Sequence, residues 1–358
     1  MYLRCLIVFL MFAVTASGEP LETVRQQFEI YQRFTGELEI LLTDNIQEID
    51  NVLKRTETKR LSVRKELDKA QTEDEKKNVP SPLFVDDYAA PFFHYVAVER
   101  AVAMRSLQQG KPDETMLAIQ YVYDLTHELA DSGSLELRVI AARIRLQMLE
   151  TVQSFLLNPH CQHEHHERLY KIFDKLINRR LTESEIWTLY CEEGKRFFEE
   201  VPRRGLDKML SPDLFKELQE RHAFDGYEKA VVQRFTHDKS VFLRVMPVVI
   251  EISSLPFYKR SLMLRHLDEE LRGRQGTESE PVFTFLLLRD VTETMRLFAQ
   301  ERSGNELAYL ALTAALKGQQ QRKALNFLTG SEYELHLITD GIMCTYEGNI
   351  KPFYVPYR

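Results

Sequence analysis

The chain has 358 residues, of which 44% are hydrophobic, 10% aromatic and 28% charged. This composition is typical of a globular protein and excludes a largely disordered chain. The formal net charge of −7 argues against a general binder of nucleic acid or of anionic membranes. Only 14 glycines and 13 prolines are present, which favours long helices over a fold with many strands and turns.

Residues 1–18 have the pattern of a secretory signal peptide. Arg4 precedes a short apolar run, and Ala16, Ser17 and Gly18 form a small-residue cleavage site. The run is shorter than the ~20 residues that a membrane-spanning helix needs. We expect export to the periplasm or beyond the cell, with no strong membrane binding after cleavage. The alternative is an uncleaved N-terminal membrane anchor.

Signal cleavage would leave three cysteines, Cys161, Cys191 and Cys344. Three cysteines cannot all pair within one chain, and a chain of this length does not need disulfides to fold. Free, partly buried thiols are therefore expected. A Cys161–Cys191 disulfide is the alternative.

Residues 19–79 are predicted to form an N-terminal helical hairpin. Apolar residues from Leu21 to Leu38 recur at spacings of three and four, and a thinner apolar stripe with many i,i+4 charge pairs runs over 43–77. This second helix could extend over about 50 Å, so the hairpin is expected to project from the body. Pro80 and Pro82 end it, because a proline disfavours helical geometry in the preceding residue.

Residues 80–318 are predicted to form a helical core, organised around the apolar stretch 89–157. Three helices are expected there, from about Asp87 to Gln109, from a cap at Asp113 to Ala130, and from a cap at Ser134 to Leu157. Gly110 is suited to the end of the first helix.

The helical-hairpin pattern of this stretch is carried by Arg100, Ala101, Arg105, Leu107, Gly110, Asp113, Leu117, Ala118, Leu125, Leu135 and Ala141. In these positions it resembles a class of uncharacterised exported all-helical bacterial proteins, and also a tetratricopeptide-type helix pair. The resemblance covers about 100 residues and implies a helical-hairpin core without an established activity.

The rest of the core is also predicted to be helical. A capping box at Thr182–Glu185 opens a helix that Pro202 ends, and further helices are expected over 211–223, 225–253 with a bend at Pro247, and up to 271. A long apolar helix from Pro281 to Lys317, broken near Gly304, completes this part.

The pattern changes in residues 319–358. After a short predicted helix over 322–328, apolar residues alternate with a period of two, which indicates strands at 333–339, 342–347 and 352–355. Asp340 and Gly341 form the predicted hairpin turn. The C-terminal part is therefore expected to be a short helix followed by an antiparallel β-meander.

The only concentration of metal-ligand residue types lies in 160–167. His160, His163, His166 and Glu167 are the candidate ligands, because their spacings of three and four place pairs on one helix face. The zinc-protease motif has a second histidine four residues after the first, where this chain has Glu167. The alternatives are a solvated, histidine-rich helix start or adventitious metal binding.

Other candidate chemical groups are weaker. The carboxylate pairs Asp86–Asp87 and Glu192–Glu193 are interpreted as charged surface, because neighbours on a helix point apart. Trp187, the only tryptophan, lies on an amphipathic helix and is predicted to be a core residue. No nucleophile elbow or phosphate-binding loop is found in the sequence.

The sequence thus predicts a mainly α fold: a helical bundle or short α-solenoid of helix pairs, with an N-terminal helical hairpin and a small C-terminal antiparallel β-meander. The predicted function is non-catalytic, as an exported protein that presents a protein-interaction surface in the cell envelope. The expected partner is another protein; no nucleic acid and no cofactor are expected. The alternatives are a metal-dependent hydrolase that uses the 160–167 cluster and an assembly subunit of an envelope or secretion machine.

Overall fold

The computed structural model describes residues 19–28, 46–70, 89–132, 134–178, 180–204, 227–273, 281–288, 290–318, 324–347 and 351–357. Several predictions lie outside these ranges. They are the signal peptide at 1–18, the break at Pro80 and Pro82, the helix over 211–223 and Asp86–Asp87.

The predicted fold class, mainly α with a small C-terminal antiparallel sheet, is confirmed. Helices α1 to α11 span Glu19–Phe28, Ile46–Ala70, Ala89–Gln108, Pro112–Asp131, Leu135–Leu157, His163–Asn178, Glu183–Arg204, Tyr227–Ser254, Ser261–Arg272, Val282–Leu288 and Val291–Lys317. A 3-10 helix covers Phe257–Lys259, and strands β1, β2 and β3 span Tyr333–Ile338, Gly341–Tyr346 and Phe353–Pro356.

The three helices predicted over 89–157 are α3, α4 and α5, which pack side by side. Gly110 ends α3 with φ 69°, a left-handed conformation that glycine adopts without strain. The Ser134 hydroxyl caps α5 by accepting a hydrogen bond from the Leu137 backbone N–H at 3.4 Å. The cap predicted at Asp113 is wrong: α4 begins at Pro112, whose fixed φ suits the first helical position.

The N-terminal helices do not project from the body, contrary to expectation. Both α1 and α2 pack on α3 and α4, and Val24, Phe28 and Val63 are fully buried in the same core. Arg64 of α2 also forms a two-point ion pair with the buried Glu99 of α3. The charged surface of α2 therefore covers a buried apolar stripe that the sequence shows only weakly.

The buried apolar side chains of the described residues form two separate hydrophobic cores. The first contains apolar side chains of α1 to α6, the second half of α11 and the sheet. The second contains α7 to α10 and the start of α11, with Trp187 buried as predicted. Five phenylalanine rings pack together in the second core, namely Phe197, Phe198, Phe235, Phe242 and Phe283.

Close packing of α7 on α8 depends on a glycine. A Cβ atom at Gly194 would overlap the ring of Phe242, which is fully buried. The sequence predicted that Pro202 ends this helix, but α7 continues to Arg204.

Helix α11 belongs to both cores. Val291 and Met295 lie in the second core, whereas Leu307 and Leu312 lie in the first. The break predicted near Gly304 is wrong, because the helix is divided before Val291 instead, between α10 and α11. Gly304 is helical, and its missing side chain makes room for Leu149, whose Cδ1 lies 2.6 Å from the position of a Cβ atom.

A buried polar network crosses from α5 to α11 between the two cores. The Arg145 guanidinium lies 3.2 Å from Glu301 Oε1 and donates to the hydroxyl and the carbonyl of Thr126 at 2.9 and 3.0 Å. Asn305 donates a further hydrogen bond to Glu301 at 2.6 Å. All four residues are buried, so each polar group depends on the others for its partners.

The C-terminal strands form one antiparallel sheet in the order β1-β2-β3. Leu337 pairs with Ile342, and Ile342 pairs with Val355. Residues 324–328, predicted as part of a short helix, instead form a bridge and a turn, in which Leu325 pairs with Glu332.

The cysteines Cys161, Cys191 and Cys344 are buried and form no disulfide, so Cys161 and Cys191 do not pair. No helix in the described ranges is both long and apolar enough to cross a membrane.

Replacing Glu301 by glutamine should destabilise the fold by about 3 kcal/mol, because the Arg145 charge would stay buried without its counter-ion. The matched control is Glu293→Gln, which removes an exposed ion pair with Arg296 on the same helix and should cost at most about 1 kcal/mol. Urea unfolding measures both changes. Equal losses in the two variants would contradict the importance of the buried pair.

Alanine at Gly194 should lower stability by about 1–3 kcal/mol, although alanine normally favours a helix over glycine by about 1 kcal/mol. The reason is the rigid Phe242 ring that faces Gly194. Gly304→Ala is the comparison, since there the added methyl meets the flexible end of Leu149, and its effect should be smaller. Thermal or urea unfolding would show whether this order is reversed.

Candidate interaction surface

The two edges of the sheet differ. At the β3 edge, Gln153 of α5 receives a hydrogen bond from the Tyr354 N–H and donates one to the Tyr354 carbonyl, both at 2.8 Å. The side-chain amide thus takes the place of a neighbouring strand's peptide group. This edge of the sheet is covered by α5 and offers no site for strand pairing at Tyr354.

Residues that the structure describes cover the β1 edge only at its beginning. The Tyr333 N–H donates to the Ala324 carbonyl at 3.1 Å, which shows that it points away from β2. Because backbone groups alternate along a strand, those of Leu335 and Leu337 point to the same side. Within the ranges that the structure describes, these outward N–H and C=O groups form no hydrogen bond.

Apolar side chains are exposed at the same end of the sheet. Leu337 is 76% exposed, although it lies on the face that elsewhere packs against α5 and α11. Ile338 and Tyr357 are 40% and 50% exposed. Tyr357 donates its N–H to the Asp340 carbonyl in the β1–β2 turn, which places it at the same end of the sheet but after β3. We call Leu335, Leu337 and Ile338 the β1 edge surface.

The charge next to this surface is mainly acidic. Glu334 and His336 lie on the outer face of β1, with His336 Nε2 and Glu334 Oε2 3.3 Å apart. Glu332 precedes the strand and Asp340 follows it, and both are exposed. A ligand that approaches along β1 therefore meets carboxylates on the outer face and leucines on the inner face.

A polar cluster on α11 fixes the start of β1. The Tyr333 hydroxyl donates to Glu306 at 2.9 Å, and burial with the nearby Glu306 charge raises the pKa of this phenol. Glu306 also receives a hydrogen bond from Arg302 at 2.7 Å. The Arg302 guanidinium lies 4.0 Å from the centre of the Phe327 ring, in the turn that covers the first residues of β1. These contacts fix the beginning of β1 to α11, so the open part of the strand extends from a rigid support.

The candidate metal ligands are separated by their burial. His163 and Glu167 are exposed, with Nε2 and Oε1 3.7 Å apart, whereas His166 is 2% exposed. His160 is exposed and lies beside Gly110. In the part of the chain that the structure describes, no three His, Cys, Asp or Glu side chains are placed to hold one metal ion.

The neighbouring His165, which was not a candidate, is buried. Its Nδ1 accepts a hydrogen bond from the Gln162 N–H at 2.9 Å, and its Nε2 lies 3.3 Å from Asp113 Oδ1. This pairing joins the start of α6 to the start of α4, which gives His165 a structural role.

The carboxyl groups of Glu136 and Glu193 are partly buried, which the sequence interpretation missed. Of the pair predicted to be charged surface, Glu192 is exposed and paired with Lys195, but the Oε2 atom of Glu193 is shielded from solvent. Burial raises the pKa of Glu193 to about 9, and burial also raises the pKa of Glu136 to about 7. The available signal was the spacing of Glu193 from Tyr190 and Phe197, which places it on the buried face of α7.

Comparisons with protein-family models, with curated proteins and with solved structures find no match to this chain. Among the described residues, the β1 edge surface combines unpaired main-chain groups, exposed apolar side chains and a rigid support.

Proposed function

We propose that this chain is an exported, non-catalytic protein that binds a partner polypeptide, and that an extended segment of the partner adds as a further strand beside β1. The observation that carries the proposal is a difference in hydrogen bonding between the two edges of the sheet. At the β3 edge, Gln153 pairs with the main chain of Tyr354. At the β1 edge, the outward N–H and C=O groups of Leu335 and Leu337 form no hydrogen bond with any described residue. Main-chain hydrogen bonds to an added strand supply affinity in this kind of recognition.

The side chains of β1 define the partner segment. On the inner face, an apolar residue of the partner would cover Leu337, and full burial of a leucine stabilises by about 2 kcal/mol. On the outer face, basic residues would meet Glu334 and the adjacent Glu332 and Asp340. The partner segment is therefore expected to alternate apolar and basic residues, since successive side chains of a strand point to opposite faces.

Two further parts of the proposal rest on the sequence. Export rests on the signal-peptide pattern of residues 1–18, and the non-catalytic role rests on the lack of a catalytic motif in the chain. The rigid helical support of β1 favours the same role, because a preorganised edge avoids an ordering cost on binding.

The test is a selection of nine-residue peptides from a random library on the purified protein. Selected peptides should alternate apolar and basic residues, and should bind Leu337→Pro at least tenfold more weakly than the unchanged protein. Proline removes an N–H that forms no hydrogen bond with β2, so the sheet should tolerate proline at this edge. Leu337→Ile, which keeps the N–H and an apolar side chain, is the matched control and should retain most of the binding.

Hydrogen exchange gives a direct second measurement. Peptide binding should slow exchange at the amides of Leu335 and Leu337, with little change at Glu334 and His336, which already pair with β2. A Leu262→Lys variant changes an apolar residue of α9 that is 60% exposed and should bind as before. Failure to select peptides, or equal binding by Leu337→Pro, would contradict the proposal.

A further inference from the structure

The first turn of α5 joins the two hydrophobic cores. Although α5 lies in the first core, its first residue, Leu135, belongs to the second. Ser134, which caps the helix, also donates a hydrogen bond to Glu136 Oε2 at 2.8 Å. Glu136 is thereby held at the contact between α5 and α7.

Glu193 lies on the α7 side of this contact. One turn earlier, the buried Tyr190 donates its hydroxyl to the Leu287 carbonyl at 2.8 Å, so this face of α7 is fixed against α10. Within the described residues, the shielded Oε2 of Glu193 has no hydrogen-bond partner. An ionised carboxylate in this position would lose water without gaining a donor, which is costly.

The charged and titratable groups around Glu193 do not offset this cost. Glu136 of α5 acts on Glu193 directly and opposes its ionisation. Asp131 at the end of α4 interacts with Arg138, and Asp290 before α11 interacts with Tyr190, so both add acidic charge to the neighbourhood. Arg138 of α5 and Arg196 of α7 favour the ionised form of Glu193 by charge alone. The Nε atom of Arg138 is buried and has no acceptor within the described residues, so the guanidinium is not bonded to Glu193 through that atom.

We propose that the α5–α7 contact is a pH-responsive joint between the two cores, closed while Glu136 and Glu193 are protonated and loosened as they ionise. This inference is independent of the proposed binding of a partner strand. It assigns a role to two acidic groups that the hydrophobic packing of α7 does not require.

The direction of the pH effect follows from proton linkage. Burial raises the folded-state pKa of Glu136 to about 7 and, with the Glu136 charge, that of Glu193 to about 9. In the unfolded chain both groups ionise near pH 4.3. Unfolding therefore releases protons between these values, and the stabilisation present at acidic pH is lost as pH rises, up to about 7 for Glu136 and about 9 for Glu193.

The chain contains its own reporter for this contact. Trp187, the only tryptophan, lies on α7, is 1% exposed and packs edge-on against Tyr190. Loosening of α7 from α5 would admit water near the indole. Its fluorescence emission should then move to longer wavelength while the helix content of the whole chain is kept.

The experiment follows Trp187 emission and far-UV circular dichroism of the full chain between about pH 5 and pH 9.5. The unchanged protein should show a reversible red shift without loss of helicity. Glu193→Gln, which imitates the protonated side chain, should remove the higher-pH part of the shift, and Glu136→Gln should remove its lower-pH part. Glu192→Gln alters the exposed neighbour and should leave the shift unchanged.

Chemical unfolding at several pH values gives an independent measurement. The ratio of unfolding equilibrium constants between the unchanged protein and Glu193→Gln should grow with pH, by at most about tenfold per pH unit, until about pH 9. For Glu192→Gln the ratio should stay constant above about pH 5. A red shift above about pH 8 that is undiminished in Glu193→Gln, or a ratio that does not change with pH, would overturn the inference.

Discussion

The ion pair between Arg145 and Glu301 lies at the point where α11 passes from one hydrophobic core to the other. Hydrophobic contacts alone would permit α11 to slide along α5, because leucine and alanine side chains pack in many registers. A buried arginine and a buried glutamate must meet, so they select one register. The position of the sheet depends on this choice, since the same helix holds Tyr333 through Glu306 one and a half turns later.

Local signals predicted much of the helical fold. Gly110, Ser134 and the Thr182–Glu185 capping box mark helix ends that the structure confirms, because their hydrogen bonds involve only neighbouring residues. The period-two pattern also located the three strands. Errors arose where a distant residue decides the outcome. Gly304 reads as a helix break, but its role is to accept Leu149 from another helix.

The candidate surfaces were harder to predict, for the same reason. Alternation in β1 predicts a strand and its inner face, but it does not say which edge of the sheet stays open. That depends on Gln153, which is about 200 positions before the strand that it caps. Likewise, Glu192 and Glu193 look alike in the sequence. Only the packing of α7 on α5 and α8 makes one of them a surface charge and the other a shielded acid.

The cap that Gln153 places on β3 also limits how molecules of this kind can associate. A sheet with two open edges can add neighbours on both sides, and such growth leads to fibres. Among the described residues, pairing through β1 would use the one open edge of each molecule. Two chains that met in this way would form a closed, symmetric pair with no edge left for a third. The two hydrogen bonds of a single glutamine would therefore oppose such growth at β3, while the opposite edge stays available for one strand.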